Sequence, residues 1–225
     1  MGAEGGRNVH ERVAIWGAAG HAKVVADAMR RTPGLEVIGF IDDTAPQRRG
    51  EPFCGGLVLG GRELLPGLLR DGVSLMLAFG HNAARLALGE DLQAMGFRFP
   101  VVVHPAAVLS PDCVVGAGTF VGAGAILQAD SKVGAHAIIN TAAVVEHDCS
   151  VGDGVHLGPR VTLSGRVSVG RGTWLGTGAV VRDGVTIGER SIVGMGSVVR
   201  HDVPDGVVAY GCPARVVRQL VRNGN

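Results

Sequence analysis

The residues that could do acid–base chemistry are concentrated in one short segment, NTAAVVEHDCSVGDGVH at 140–156. It places His147 between Glu146 and Asp148, in a region that is otherwise small and aliphatic. A carboxylate on one imidazole nitrogen fixes the tautomer and makes the other nitrogen a better base. His147 is therefore a candidate general base, and the sequence leaves open whether Asp148 or Glu146 is its acidic partner.

A six-residue repeat must position this segment. From Val103 to Val199 every sixth residue is aliphatic, seventeen in all, and glycine follows nine of them. Such hexapeptide repeats are typical of a parallel β-helix, in which three repeats make one triangular coil. Residues eighteen apart should then stack on neighbouring coils.

The same register predicts which residues face outward, because side chains alternate along a strand. Two of the three outer faces are largely apolar and the third is polar. The apolar faces carry Val102, Phe120, Ile138, His156, Trp174 and Ile192, and Val108, Ile126, Val144, Thr162, Val180 and Val198. A monomer should not expose two apolar faces, so we expect a homotrimer; the alternative is that the N-terminal half covers one face.

A trimer would also bring separated polar residues together. Asn140 and His156 lie on a different side of the predicted prism from His147. We expect His147 of one chain and Asn140 plus His156 of a neighbour to build a shared cleft.

The first hundred residues have another pattern, in which short apolar strands alternate with helical segments, as in a small Rossmann-like α/β domain. The turn GAAG at 17–20 follows the first strand and opens a helix, and such turns present backbone N–H groups to an anion. Acids that end the second strand are placed to accept hydrogen bonds from ribose or base. The predicted pocket residues are Gly17, Gly20, His21, Asp42, Asp43, His81, Asn82 and Arg85. An NAD site is disfavoured, because the glycine pattern GxGxxG is incomplete.

Composition excludes several other functions. The net charge of +1 and the 4% of aromatic residues disfavour nucleic acid and anionic membranes as partners. No apolar run approaches the roughly 20 residues that span a bilayer, and the polar N-terminus lacks a signal-peptide core, so we expect a cytoplasmic protein. The cysteines form no CxxC pair, and the histidine spacing fits no metal-ligand pattern, so we expect no metal.

Motifs spread over nearly the whole chain carry a family resemblance. They are GAAGHAKVV (17–25), GFIDD (39–43), FGHNAAR (79–85), INTAAVVEHDCSVGDGVHLGP (139–159) and YGCPARVV (210–217). The chain resembles the hexapeptide-repeat sugar acetyltransferases of the sialic acid O-acetyltransferase type, which include bacterial nucleotide-4-amino-sugar N-acetyltransferases. The resemblance implies a Rossmann-like nucleotide-sugar domain at 1–100, a left-handed parallel β-helix at 101–225, and acetyl-CoA as cosubstrate.

The resemblance also implies roles for single residues. It makes His147 the general base, with Asp148 or Glu146 as its partner, and it gives the backbone amide of Gly165 the task of polarising the thioester carbonyl. The residues implied to line the acetyl-CoA site are Asn140, His156, Gly165, Thr177, Met195 and Ala214.

The expected activity is acetyl transfer from acetyl-CoA to the amino group of a nucleotide-linked 4-amino-4,6-dideoxy sugar. The alternative is O-acetylation of sialic acid or another surface sugar, for which the same base would serve. A trimeric scaffold that binds nucleotide sugar without chemistry would leave the segment around His147 unexplained.

Overall fold

The N-terminal part of the chain is an α/β unit built on a five-stranded sheet. A computed structural model describes residues 10–220. The elements of this unit are β1 (Glu11–Trp16), α1 (Gly20–Arg31), β2 (Leu35–Ile41), β3 (Pro52–Phe53), β4 (Gly56–Gly60), α2 (Leu65–Arg70), β5 (Ser74–Leu77) and α3 (Asn82–Ala94). The sheet order is β3-β4-β2-β1-β5, and all neighbours except β3 and β4 are parallel.

Helices cover both faces of this sheet because its strands are apolar on both sides. Val13 and Ile15 of β1 pack with the buried side of α1, while Ala14 and Trp16 pack with α2 and α3. This arrangement is the one expected for parallel strands, which are buried on both faces.

From Val102 to Val199 the chain is a parallel β-helix of seventeen two-residue strands. These are β6 (Val102–Val103), β7 (Val108–Leu109), β8 (Val114–Val115), β9 (Phe120–Val121), β10 (Ile126–Leu127), β11 (Lys132–Val133), β12 (Ile138–Ile139), β13 (Val144–Val145), β14 (Ser150–Val151), β15 (His156–Leu157), β16 (Thr162–Leu163), β17 (Ser168–Val169), β18 (Trp174–Leu175), β19 (Val180–Val181), β20 (Thr186–Ile187), β21 (Ile192–Val193) and β22 (Val198–Val199). Every third strand pairs, so residues eighteen apart are neighbours. The predicted fold class is confirmed, and the second residue of each strand is one of the seventeen aliphatic positions.

The inward aliphatic residues form one continuous column that is the core of the β-helix. A hairpin of β23 (Val207–Gly211) and β24 (Ala214–Gln219) extends the sheet that contains β21. Among residues 10–220, no helix is both long and apolar enough to cross a membrane.

The structure corrects the prediction that neighbouring subunits bury both apolar faces. Val102, Phe120 and Ile138 are fully buried against the inner side of α1 in the same chain. We call the outward side of β6, β9, β12 and β15 the covered face. The alternative, that the N-terminal half covers one face, is therefore the one that the structure shows.

The second apolar side remains accessible. We call the outward side of β7, β10, β13, β16, β19 and β22 the open face. Val108 is 61% exposed and Val180 is 41% exposed on it. The apolar argument for self-association therefore rests on this one face.

Candidate active site

His147 and Asp148 form a hydrogen-bonded pair at the corner between β13 and β14. His147 Nδ1 lies 2.8 Å from Asp148 Oδ2, and both side chains are about half exposed. Asp148 has a left-handed backbone with φ of 59°, which aspartate tolerates better than most residues. Its backbone N–H donates to Ala129 on the preceding coil, which holds the turn. The pairing leaves His147 Nε2 free to accept a proton.

The other candidate partner, Glu146, has no side-chain hydrogen bond within residues 10–220. Its backbone N–H donates to Leu163 of the next coil. In this structure the acidic partner of the imidazole is Asp148.

Gly165 makes room for the imidazole on the neighbouring coil. A Cβ on Gly165 would lie 2.6 Å from His147 Nε2 and 2.6 Å from Cε1. Within the described part of the chain the backbone N–H of Gly165 donates to no protein acceptor, whereas its carbonyl accepts from Gly184. An unpaired N–H beside a base can stabilise an oxyanion.

Sequence analysis missed a second carboxylate on the same corner. Asp183 Oδ1 lies 3.1 Å from the position of that absent Cβ, and Oδ2 accepts from Arg166 Nη2 at 2.5 Å. The signal was available, because Asp183 follows His147 by two coils of eighteen residues. Asp183 and the imidazole of His147 therefore both lie against the same position on Gly165.

A second polar cluster joins residues that were predicted for two different substrates. Asn140 Nδ2 lies 3.3 Å from His156 Nε2, and Asn140 Oδ1 accepts from the Thr141 N–H at 2.8 Å. The ring of His21, from the first turn of α1, lies 6.3 Å from that of His156 and edge-on to Phe120. The predicted sugar-site residue and the predicted acetyl-CoA residues therefore meet at the domain junction.

Both histidines of this cluster are neutral at physiological pH. Burial, followed by the charges of Arg85 and His21, lowers the pKa of His156 to about 3, although a hydrogen bond to the Gly80 backbone opposes the shift. Burial and then Arg85 lower the pKa of His21 to about 4. His21 Nε2 is buried without a hydrogen-bond partner within residues 10–220.

The two clusters lie at different edges of one prism. Asn140 is at the corner between β12 and β13, and His147 is at the corner between β13 and β14. Within residues 10–220 of a single chain no hydrogen bond connects them.

The turn after β1 has the geometry of an anion site. Gly17 has φ of 121°, and a Cβ there would lie 2.9 Å from the carbonyl oxygen of Ala78, so only glycine fits. Among residues 10–220, no side chain caps the N-terminus of α1, which begins at Gly20. The first-turn N–H groups are therefore available to a phosphate.

Two acidic residues beside this turn already have protein partners. Asp42 accepts from Thr44 and from Arg48 Nη1 at 2.9 Å, and Asp43 accepts from Trp16 Nε1 at 3.1 Å and from Arg62. Burial alone would raise the pKa of Asp42, but the Thr44 and Arg48 hydrogen bonds outweigh it and lower that pKa.

Arg48 is a further residue that sequence analysis missed. Its Nη1 also donates to the Ala18 carbonyl at 2.8 Å, and its other nitrogens pair with Glu51. Arg48 thereby connects the glycine turn to the end of β2. No sequence motif identified it, since it lies in a single 3₁₀ turn, Pro46–Arg48, before β3.

The FGHNAAR segment divides between two tasks. His81 caps α3, with Nδ1 accepting from the Ala84 N–H at 3.1 Å. Asn82 and Arg85 point instead to the β-helix, where their side chains hydrogen-bond to backbone carbonyls. The structure therefore places these two at the junction of the domains.

Two of the remaining predicted acetyl-CoA residues lie in the corner turns that stack beyond Asn140 along the axis of the β-helix. Thr177 and Met195 occupy one corner column, two and three coils beyond Thr141, and Met195 is 73% exposed. Ala214 lies at the start of β24, paired with Gly211. No cluster of potential metal ligands occurs in the part of the chain that the structure describes.

Comparison with known proteins connects this geometry to a family. A family model described as the PglD N-terminal domain matches residues 12–92, and the bacterial transferase hexapeptide model (six repeats) matches residues 166–201. The structure of PerB from Caulobacter crescentus, in complex with CoA and GDP-perosamine, is 44% identical with a TM-score of 0.86, over 92% of this chain and 97% of that one. The chain belongs to the hexapeptide-repeat sugar acetyltransferases.

A second solved acetyltransferase agrees in fold over most of this chain. The acetyltransferase domain of PglB from Neisseria gonorrhoeae, in complex with acetyl coenzyme A, is 36% identical with a TM-score of 0.87, over 92% of this chain and all of that one. Two further structures of the Caulobacter crescentus perosamine N-acetyltransferase carry one histidine replaced, by asparagine or by alanine, with CoA and GDP-perosamine bound.

A curated relative matches over a shorter region. UDP-N-acetylbacillosamine N-acetyltransferase of Bacillus subtilis is 42% identical over 115 residues. The match spans about half of each protein, 49% of this sugar acetyltransferase and 51% of the relative.

Proposed function

We propose that this protein transfers an acetyl group from acetyl-CoA to the amino group of a nucleotide-linked 4-amino-4,6-dideoxy sugar. The observation that carries the proposal is the His147–Asp148 pair, whose Nε2 lies against Gly165, a residue whose backbone N–H has no protein acceptor within residues 10–220. A base and an oxyanion donor at one point are what acyl transfer to an amine requires.

In the proposed reaction the amine attacks the thioester directly. A C–N bond forms at the acetyl carbon as His147 Nε2 takes the amine proton. The C–S bond then breaks, and the imidazolium gives that proton to the departing thiolate. The N–H of Gly165 donates to the oxyanion, and one such donor contributes about 3–4 kcal/mol to transition-state stability. Cys149 plays no part, because it is buried in the inward column.

The N-terminal unit would hold the nucleotide. The backbone amides from Ala18 to Gly20 can receive the diphosphate, whereas that of Gly17 already donates to Ile41. Arg48 lies within reach of the same turn through its bond to Ala18. The named relatives use different nucleotides, UDP in one and GDP in the other. We leave the identity of the nucleobase open and propose the 4-amino sugar as the feature that the substrates share.

We also propose that the active site lies between subunits of a homotrimer. The open face has the corner of Asn140 at one edge and that of His147 at the other. Packing three open faces around a threefold axis would bring the His147 edge of one subunit against the Asn140 edge of the next. That arrangement would join base and coenzyme residues, and it would cover the exposed Val108 and Val180.

We place the protein in the cytoplasm. Its four cysteines are free thiols, which suits a reducing compartment.

Release of CoA thiol tests the function. Wild-type protein is given acetyl-CoA with UDP-, GDP- or dTDP-linked 4-amino-4,6-dideoxy sugars, their 4-hydroxy counterparts and sialic acid, and products are identified by mass. We expect acetylation of one amino sugar and none of the hydroxyl acceptors. His147→Asn should lower kcat about 10²–10⁴-fold while still binding CoA. Acetylation of sialic acid alone would replace the proposal with O-acetyl transfer, and silence with every acceptor would overturn it.

A further inference from the structure

Helix α3 packs along one corner of the β-helix, so that each successive turn of α3 contacts one coil of the β-helix. Asn82 Nδ2 donates to the carbonyls of Gly172 and Thr173 at 3.1 Å. One turn later Arg85 donates to Gly154 and His136, each at 2.9 Å. The helical pitch of about 5.4 Å nearly equals the coil spacing of about 4.8 Å, so the match continues along the helix.

Close packing completes this contact. Leu86 lies against the Cα of Gly154, and Gly89 lies against the ring of His136 on the next coil. We call this corner, formed by residues 136, 154 and 172, the docking corner. The contacts fix which turn of α3 faces which coil.

Arg85 is a buried cation without an anionic partner in the described chain. Its side chain is 1% exposed, and its donors go to three backbone carbonyls and to Asn82 Oδ1. Burial lowers its pKa to about 10. A buried charge is strongly destabilising unless other interactions offset it, and an apolar side chain could fill the same space. Packing alone therefore does not explain why this residue is an arginine.

The carbonyls that Asn82 and Arg85 hold surround His156. Gly154 is two residues before His156 in the chain. The carbonyl of Thr173 accepts both the Asn82 side chain and the backbone N–H of His156, the latter at 3.0 Å. A shift of α3 would move the strand that carries this imidazole.

We propose that Arg85, with Asn82, is a positioning residue of the acetyl-CoA site: it locks the N-terminal domain to the docking corner and holds His156 against Asn140. This inference rests on the proposed function, since it takes His156 as part of that site. In this proposal the FGHNAAR segment contributes to coenzyme binding through His156 and contacts neither substrate.

The uncharged form of the His156 imidazole matters for a geometric reason. Asn140 Oδ1 is engaged by the Thr141 N–H, so its Nδ2 donates towards His156 Nε2. A protonated imidazole would present a second donor at that contact and break it. The charged and titratable groups that face His156 are Arg85 and His21, and Arg85 lowers the pKa of both imidazoles.

Substitution of Arg85 tests the inference with two readouts. The first is the titration of the His156 ring by NMR in the full-length protein. The second is the KM for acetyl-CoA compared with that for the nucleotide sugar. For Arg85→Gln we expect the His156 titration to move up by about one pH unit or more, and the acetyl-CoA KM to rise about tenfold. The sugar KM should change less. Arg85→Lys keeps the charge but not the fork of donors, so it should shift the KM without the titration.

Arg98→Gln is the matched control, because Arg98 is exposed and, within residues 10–220, its side chain donates only to the Gly72 carbonyl; it should change neither readout. If Arg85→Gln does not fold, Asn82→Ala should raise the acetyl-CoA KM and leave the sugar KM nearly unchanged. An unchanged His156 titration in Arg85→Gln, or an equal rise of both KM values, overturns the inference. If no acceptor is acetylated at all, the proposed function fails, while the titration still decides on Arg85.

Discussion

At the scale of single residues, the position of the proposed base, His147, depends on a neighbouring residue that has no side chain. The imidazole of His147 lies across the next coil because Gly165 has no Cβ. Gly165 is not among the residues with positive φ, so its backbone would accept alanine. Steric space, and not backbone conformation, is what requires glycine here.

Gly165→Ala should therefore damage catalysis while preserving the fold. The new methyl would displace the imidazole from its place beside the Gly165 N–H, and a misplacement of about 1 Å can cost up to about 10²-fold in rate. We expect kcat to fall at least tenfold, and the melting temperature to change by only a few degrees. Steady-state kinetics and thermal unfolding check both. A variant with normal kcat would contradict the placement of His147 over Gly165.

Sequence patterns predicted these residues unevenly. The motif identified His147, but the choice of Asp148 over Glu146 needed the left-handed corner that turns the Asp148 carboxylate onto Nδ1. Asp42 and Asp43 were placed correctly at the end of a strand, yet their engagement with Arg48 and Arg62 depends on loops without a periodic signal.

At the scale of elements, the hexapeptide repeat determines most of the fold. Its register places all seventeen aliphatic residues inside, since a side-chain period of two in strands and of eighteen in coils leaves no alternative register. The partner of each outward face could not be derived in the same way. The outward residues of the covered and open faces are chemically alike, so sequence could not decide which one α1 covers.

The packing of α3 against the docking corner leads to a prediction about stability. A Cβ on Gly89 would lie 2.6 Å from Nε2 of His136, a ring confined by Phe99 and Gly118. Gly89→Ala should therefore destabilise the protein by about 1–3 kcal/mol, even though alanine favours helices. Chemical denaturation measures this loss.

Gly67 of α2 provides the control, because a Cβ there meets only the tip of the Arg70 side chain at 3.9 Å. Gly67→Ala should be neutral or stabilising. Equal behaviour of the two variants would contradict close contact between α3 and the docking corner.

At the scale of the whole molecule, one chain carries the two halves of the proposed site at opposite edges of its open face. The His147 corner has the proposed base and the proposed oxyanion donor, and the Asn140–His156 cluster adjoins the N-terminal domain. The proposed trimer would make each site from two subunits. The sequence predicted the separation correctly from the register, but it overestimated the area left for self-association, because the covered face is already buried.

Mixed trimers test the central claim, that His147 of one subunit acts on substrates held beside His156 of the next. Subunits carrying His147→Asn and subunits carrying His156→Ala are given different tags, assembled together and purified for both tags. Each parent trimer should be nearly inactive in acetyl transfer to the preferred amino sugar. In every mixed trimer one of the three interfaces pairs an intact His147 with an intact His156, so activity should return to about one third of wild type. Mixed trimers as inactive as their parents, or a fully active His147→Asn parent, would contradict the account.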